Sequence, residues 1–132
     1  MNEIYQNMLS AYDLSTDQAK RNATFEVNQQ IILAGLYQGG FFEKAAFYGG
    51  TCLRIFHGLN RFSEDMDFSL LNKDESFDFS QYFQPIIDEF DAIGRRVDIQ
   101  KKDKKNFGKV EIYSKCEEAD LRALALKALT WE

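Results

Sequence analysis

The sequence predicts an α+β domain in which a mixed β-sheet of about four strands is flanked by helices. Apolar residues recur at helical spacing in the N-terminal third and again over residues 83–93. Apolar or alternating runs typical of strands cover residues 45–48, 66–71, 95–100 and 107–114. The length of 132 residues, with 45% hydrophobic and 14% aromatic content, favours one folded domain over a disordered chain. We therefore treat residues 1–132 as a single domain.

Residues 1–40 are predicted to form a helical lead into the sheet. Asn2 can cap a first helix, and Ser15 with Gln18 three residues later fits the capping box that begins a second one. The Gly39-Gly40 pair ends this second helix, because glycine adopts the backbone conformation that follows a helix without strain. The apolar stripes of both helices indicate packing, and we assign no chemistry to either.

Residues 41–116 are predicted to form the sheet core that carries the site. Strands over Ala45–Tyr48 and Met66–Leu71 are separated by a glycine turn, a short helix and a polar loop. A helix with Pro85 in its first turns follows, since proline deeper in a helix would remove a hydrogen bond. The alternating runs at 95–100 and 107–114 then predict a hairpin.

Residues 117–132 are predicted to form a terminal helix. The apolar residues Leu121, Leu124, Ala125 and Ala128 repeat there at helical spacing. The lysine-rich segment 101–106 before it is interpreted as a solvated hairpin tip, with contact to a polynucleotide backbone as the alternative.

Two aspartates stand at the start of the second strand. Asp65 and Asp67 share one face of it, because side chains two residues apart on a strand point the same way. Neighbouring carboxylates repel each other unless a cation lies between them, so the pair predicts a site for Mg²⁺ or Mn²⁺. The alternative is two solvent-facing aspartates on an edge strand.

A glycine turn precedes the short helix and supplies the second half of the predicted site. Gly49 and Gly50 let backbone N–H groups approach a phosphate, and the Thr51 hydroxyl can add a donor. Arg54 and Arg61 offer guanidinium groups that suit phosphate oxygens, and Ser63 lies beside Arg61 in the loop. Either arginine could instead pair with Glu64 or the aspartates and hold the loop. Together the two halves predict a site for a metal-bound phosphate.

This combination resembles the nucleotidyltransferases of the DNA polymerase β superfamily, and more narrowly the AbiEii/AbiGii toxin family. The resemblance is carried by Gly49-Gly50-Thr51-Cys52-Leu53-Arg54, Gly58-Leu59, Arg61-Phe62-Ser63 and Asp65-Met66-Asp67-Phe68. It implies a nucleotidyltransferase-like fold and Mg²⁺-dependent transfer of a nucleotidyl group from an NTP. The implied acceptor is an RNA, such as tRNA, or a protein, and the implied context is a toxin–antitoxin or phage-defence system with a cognate antitoxin.

The resemblance also implies two roles outside the dense motif. Glu111, within Lys109-Val110-Glu111-Ile112, corresponds to a third carboxylate on a neighbouring strand that binds metal and acts as general base. Lys127, on the predicted terminal helix, corresponds to a lysine that contacts the triphosphate. An exposed strand glutamate and a solvated helix lysine are the respective alternatives. Relatives continue into a further helical portion, so the C-terminal helical part is expected to be truncated here.

Charge and composition restrict the remaining function classes. The net charge of −5 argues against bulk electrostatic binding to duplex nucleic acid. No bilayer-spanning run and no signal peptide are found, so a cytoplasmic protein without membrane contact is expected. Catalysis by Cys52 with His57 is disfavoured by their spacing. Two alternatives stay open: an inactive nucleotide- or partner-binding module, and another metal-dependent phosphoryl transferase.

Overall fold

The computed structural model describes residues 3–63, 66–72, 76–103, 108–114 and 126–131, with side chains described up to residue 99. Within these ranges the chain forms four α-helices and five strands. In order they are α1 (Glu3–Ser10), α2 (Asp17–Gln38), β1 (Ala45–Tyr48), α3 (Gly49–His57), β2 (Met66–Leu70), α4 (Phe83–Ala92), β3 (Val97–Asp103), β4 (Gly108–Ser114) and β5 (Leu126–Trp131). Short 3-10 turns cover Phe41–Glu43 and Phe79–Tyr82. The predicted α+β class is confirmed.

The described strands form one mixed sheet in the order β1-β2-β5-β4-β3. Strands β2 and β5 pair in parallel, and the other neighbours are antiparallel. The register aligns Tyr48, Asp67, Thr130 and Lys109 in one row across four strands. The sheet therefore has one strand more than the sequence predicts.

The additional strand replaces part of the predicted terminal helix. Residues Leu126–Trp131 form β5 between β2 and β4, so the helix predicted over 117–132 is wrong for this segment. Leucine, lysine and alanine favour helices locally, but this local propensity is weaker than the hydrogen bonds and packing that β2 and β4 offer on either side. Residues 115–125 lie outside the described residues.

The helical lead forms as predicted, with a shifted cap. Thr16, rather than Ser15, caps α2, and its hydroxyl oxygen accepts a hydrogen bond from the Ala19 backbone N–H at 3.0 Å. The Ser15 N–H instead donates to the Asp13 carboxylate at 2.9 Å. The helix ends at Gly39, as the sequence predicts.

Helix α2 is the central support of the core. Its middle is buried on almost every side, including Ala23, Val27, Ile32 and Leu36 at 0% exposure. Gly35 lets α4 approach closely, since a Cβ there would lie 2.7 Å from the Ile86 Cα. Among the described helices, none is long and apolar enough to cross a membrane.

An aromatic cluster closes the core beside the sheet. Phe41 has no exposed surface, and its ring meets several others edge-on, with centroid distances of 5.0–5.4 Å. These partners come from the 3-10 turns and from β2: Phe42, Phe68, Phe79 and Tyr82. The cluster therefore fixes β2 against the segment that precedes α4.

We expect Phe41→Ala to lower the free energy of unfolding by about 3–5 kcal/mol, because the packed core around the ring cannot close the cavity that its removal leaves. Phe56→Ala is the control, since Phe56 is 63% exposed, and about 1 kcal/mol or less is expected. Urea unfolding followed by circular dichroism measures both, and Phe41→Leu is measured in case the alanine variant does not fold. Equal losses for Phe41→Ala and Phe56→Ala would contradict this account of the core.

Candidate functional site

The site forms where β1 ends and α3 begins. Pairing of β1 with β2 places Tyr48 opposite Asp67, and Gly49 follows with φ +86°. A Cβ on Gly49 would lie 2.6 Å from the Asp67 Oδ2, closer than real contacts allow. The Asp67 carboxylate thus occupies the room that glycine leaves. The acidic strand and the glycine turn, predicted separately from the sequence, meet in one place.

Ser63 reaches the same turn from the connecting loop, which we define as residues 58–63. A Cβ on Gly50 would lie 3.3 Å from the Ser63 Oγ, so the loop packs closely on the start of α3. Helix α3 has no acidic residue in its first turn and carries Arg54 and His57 in its last. Negative charge is therefore favoured at the N-terminus of α3, because backbone N–H groups and the helix dipole attract it, and the Asp67 carboxylate already lies beside it.

Three of the predicted site residues have no described side chain. Asp65 lies outside the described residues. Glu111 and Lys127 are described by their backbone alone, on β4 and β5. Strand β5 separates β4 from β2, so Glu111 lies on the second strand from Asp67 and not on its neighbour. The helix expected around Lys127 is a strand, and the register shift between Val110 and Ile112 brings Lys127 to the level of Glu111.

Thr51 is fully buried, and Arg54 is partly buried against α2. Thr51 has 0% exposure, and the described part of the chain has no buried side-chain oxygen or nitrogen without a hydrogen bond. Arg54 Nε lies 2.7 Å from the Glu26 Oε1, and Arg54 Nη1 donates to the Leu59 carbonyl at 3.1 Å. Arg54 thus pairs with a carboxylate and holds the loop, but its partner is Glu26 on α2 rather than Glu64 or the aspartates that the sequence suggested. Arg61 is exposed.

The sequence interpretation missed the polar residues of α2. Glu26 is 6% exposed and Gln29 is 1% exposed, and both contact elements of the site. Gln29 Nε2 donates to the Ser63 carbonyl at 2.6 Å. The available signal was a run of polar side chains inside the buried part of a helix, since buried polar groups need specific partners.

The acidic side of the site suits a divalent cation. Mg²⁺ prefers carboxylate oxygen and typically takes one or two protein carboxylates together with phosphate oxygens. Asp67 lies beside backbone that can approach a phosphate, which matches this requirement. No cluster of three or more potential metal ligands occurs among the described side chains, which include neither Asp65 nor Glu111.

A separate apolar cavity of about 530 Å³ lies between α2, β1 and α3. Aromatic side chains line most of it, together with Cys52 and His57: Tyr37, Phe42, Phe47 and Phe56. Cys52 and Gly50 lie two positions apart and point about 200° apart around α3, so this cavity is not continuous with the Ser63 contact. Burial raises the pKa of the Cys52 thiol, which disfavours the thiolate and agrees with the weak case for Cys–His catalysis.

A tyrosine joins the Glu26–Arg54 pair. Tyr12 donates a hydrogen bond to Glu26 and accepts one from Gln30 Nε2 at 3.0 Å. Burial, then the hydrogen bond and charge of Glu26, raise the pKa of Tyr12 from 10.0 to about 12, against the opposing effects of Gln30 and Arg54. The phenol of the folded chain therefore stays protonated up to about pH 12.

We expect Gly49→Ala to destabilise the protein more than Gly58→Ala. Both glycines have positive φ, at +86° and +72°, so both alanines carry a backbone strain of about 1–2 kcal/mol. Only the Gly49 variant also displaces Asp67, because no atom lies within 4 Å of a Cβ at Gly58. Urea unfolding of the two variants provides the comparison. Equal destabilisation of the two variants would show that the position of Asp67 does not depend on the absence of a side chain at Gly49.

The Tyr12 pKa predicts a pH dependence of stability. Because the folded-state pKa exceeds the unfolded one, the contribution of Tyr12 is complete below about pH 10 and is lost as pH rises through about 12. The stability difference between the wild type and Tyr12→Phe should therefore shrink over this interval. Urea unfolding at several pH values measures it, and a difference independent of pH would contradict the Glu26–Tyr12 contact.

Comparison with known proteins agrees with this geometry. The family model for the AbiEii nucleotidyl transferase toxin of type IV toxin–antitoxin systems matches residues 31–123. No curated protein shows significant similarity to the chain.

Two solved structures from Helicobacter pylori are similar in fold. One is the protein JHP933 and the other is a candidate nucleotidyltransferase, each with a TM-score of 0.51 and 23% identity over 88% of this chain. The chain spans less than half of their length, 43% and 44% respectively. The family match covers well over half of the chain and includes the glycine turn, the connecting loop and β2. The chain therefore belongs to the AbiEii family of nucleotidyl transferase toxins of type IV toxin–antitoxin systems.

Proposed function

We propose that this chain is a Mg²⁺-dependent nucleotidyltransferase that moves a nucleotidyl group from an NTP to a hydroxyl of an RNA, such as tRNA, or of a protein. Mn²⁺ would serve in place of Mg²⁺. The observation that supports this most directly is the contact between Asp67 and Gly49, which joins a metal-binding carboxylate to a phosphate-binding turn. Membership of the AbiEii family supports the same reaction class.

Asp65 and Asp67 are the proposed metal ligands. When bound, the cation neutralises the phosphate charge and leaves pyrophosphate a better leaving group. Their spacing places both carboxylates on one face of the acidic strand. Asp67 is itself held at the glycine turn, so the ligand is fixed before the nucleotide arrives.

Gly49 and Gly50 are the proposed phosphate-binding residues. Their backbone N–H groups lie at the N-terminus of α3, where the helix dipole favours an anion. Ser63 and Arg61 act from the connecting loop, Ser63 against the turn and Arg61 from an exposed position that a phosphate can reach. Thr51 and Arg54, which the sequence assigned to phosphate, instead support this turn and loop from the interior.

Glu111 is proposed to act on the acceptor, and Lys127 on the triphosphate of the donor. The acceptor hydroxyl oxygen forms a bond to the α-phosphorus, the bond from that phosphorus to the pyrophosphate oxygen breaks, and pyrophosphate leaves. The hydroxyl proton passes to the Glu111 carboxylate, and Lys127 contributes positive charge near the triphosphate. The Cα atoms of two strands separated by a third lie about 10 Å apart. Because β5 separates β4 from β2, we assign Glu111 to the acceptor rather than to one compact set of metal ligands with Asp67.

The proposed partners follow from the family. A toxin of a type IV system works beside a cognate antitoxin, and the NTP is the nucleotidyl donor. The net charge of −5 favours recognition of an RNA end or a protein through a few local contacts over binding along a duplex.

We expect Asp67→Asn to lower nucleotidyl transfer at least about a hundredfold, the factor that corresponds to losing a few kcal/mol of charge stabilisation. The assay offers each of the four α-labelled NTPs with Mg²⁺ to total RNA, to purified tRNA and to bacterial lysate protein. Asp91→Asn on the exposed side of α4 is the matched control and should retain full activity. Far-UV circular dichroism checks that both variants are folded.

Other results of this assay separate the rival functions. Full transfer by folded Asp67→Asn would refute the metal role. Binding of Mg²⁺–NTP by the wild type without turnover would instead indicate an inactive binding module. A single added phosphate on the acceptor, found by mass spectrometry, would identify a different phosphoryl transferase.

A further inference from the structure

The connecting loop, residues 58–63, is anchored to α2 at its far end. Gln29 Nε2 donates to the Ser63 carbonyl at 2.6 Å, and Gln29 is 1% exposed. A hydrogen bond from so buried a donor is costly to lose, because the Gln29 carboxamide has no water to replace its partner. The backbone of Ser63, and with it the entry to β2, is therefore held by α2.

Glu26 anchors the near end of the loop through Arg54. The Glu26 carboxylate accepts from Arg54 Nε at 2.7 Å and from Arg54 Nη2 at 3.5 Å. The same guanidinium donates to the Leu59 carbonyl at 3.1 Å and lies 4.1 Å from the centre of the Phe62 ring. One carboxylate on α2 thus orients a cation that contacts the loop at two points.

These anchors connect the loop to a deeply buried part of α2. Glu26 and Gln29 lie among fully buried residues of α2 such as Val27 and Ile32. Helix α3 alone could not do this, since its outer residues Leu53 and Phe56 are 48% and 63% exposed. The position of the loop against Gly50 follows from contacts with α2.

We propose that Glu26 and Gln29 are positioning residues of the nucleotide site. They hold the connecting loop so that Ser63 lies against the glycine turn and the chain enters β2 in the register that puts Asp67 beside Gly49. Their effect on catalysis rests on the proposed function, whereas their hold on the loop does not. Neither residue contacts the substrate in this role.

Gln29→Met tests the first anchor, because methionine has a similar length but no donor. Gln18→Met is the matched control on the same helix, where Gln18 makes an exposed hydrogen bond to Asn22 at 2.9 Å. Hydrogen–deuterium exchange in peptides covering 58–63 should rise about tenfold in Gln29→Met, with peptides of α4 changed by less than about twofold. Gln18→Met should leave both regions unchanged.

Glu26→Gln tests the second anchor. It also serves as the test of the proposal if Gln29→Met does not fold. It keeps the size of the side chain and one acceptor oxygen but removes the charge that pairs with Arg54. Exchange should rise about tenfold at the same loop peptides, since a charge-assisted contact is weakened. Unchanged loop exchange in both variants, or an equal rise in every peptide, would overturn the proposal.

Nucleotide binding separates this proposal from the proposed function. Isothermal titration with each Mg²⁺–NTP identifies the nucleotide that the protein binds most tightly. Gln29→Met should bind that nucleotide about tenfold more weakly than Gln18→Met does. A wild-type protein that binds none of them would defeat the proposed function, while the exchange data would still decide whether α2 holds the loop. Increased loop exchange with unaltered affinity would defeat the positioning role.

Discussion

The register between β1 and β2 is the constraint on which the site depends. Four residue pairs, from Ala45 with Leu70 to Tyr48 with Asp67, set which side chains enter the core. A slip of one residue would turn the buried Phe68 toward the opposite face and carry Asp67 into the interior. The aromatic packing that buries Phe68 therefore also decides where the acidic side chain stands. In this protein the core and the chemistry are specified by one alignment.

Helix α2 contributes to the site at a cost in solvation. A carboxylate and a carboxamide at 6% and 1% exposure have given up water, which is unfavourable unless each finds directed partners. Glu26 finds Arg54 and Tyr12, and Gln29 finds the Ser63 carbonyl. An apolar pair of similar volume would pack as well but could not select one loop conformation. The polar contacts thus stabilise the fold less than apolar packing would, but they define the conformation of the loop.

Much of this arrangement was readable from the sequence because it rests on local signals. The bounds of β1 and the end of α2 at Gly39 depend on neighbouring residues, and the structure agrees with them. The short helix also forms, but it begins at Gly49, so the predicted glycine turn is its first turn. The Gly49–Asp67 contact follows once two adjacent strands are assumed to pair.

The two larger misses depend on partners distant in the chain. The partners of Glu26 and Gln29 lie in α3 and the connecting loop, so α2 was taken for packing alone. Leu126–Trp131 has the composition of a helix and becomes a strand because β2 and β4 leave a place between them. The choice of Thr16 over Ser15 as cap is a finer case, since both residue types cap well and Asp13 already engages the Ser15 N–H.

The parallel pairing of β2 with β5 has a consequence for biosynthesis. Met66 aligns with Leu129, so the strand that carries Asp67 gains its second neighbour only after about sixty more residues have left the ribosome. Until then one side of β2 presents unpaired backbone groups, which invite association with other extended chains. Completion of the sheet beside Asp67 therefore requires residues 126–131, which are synthesised well after β2.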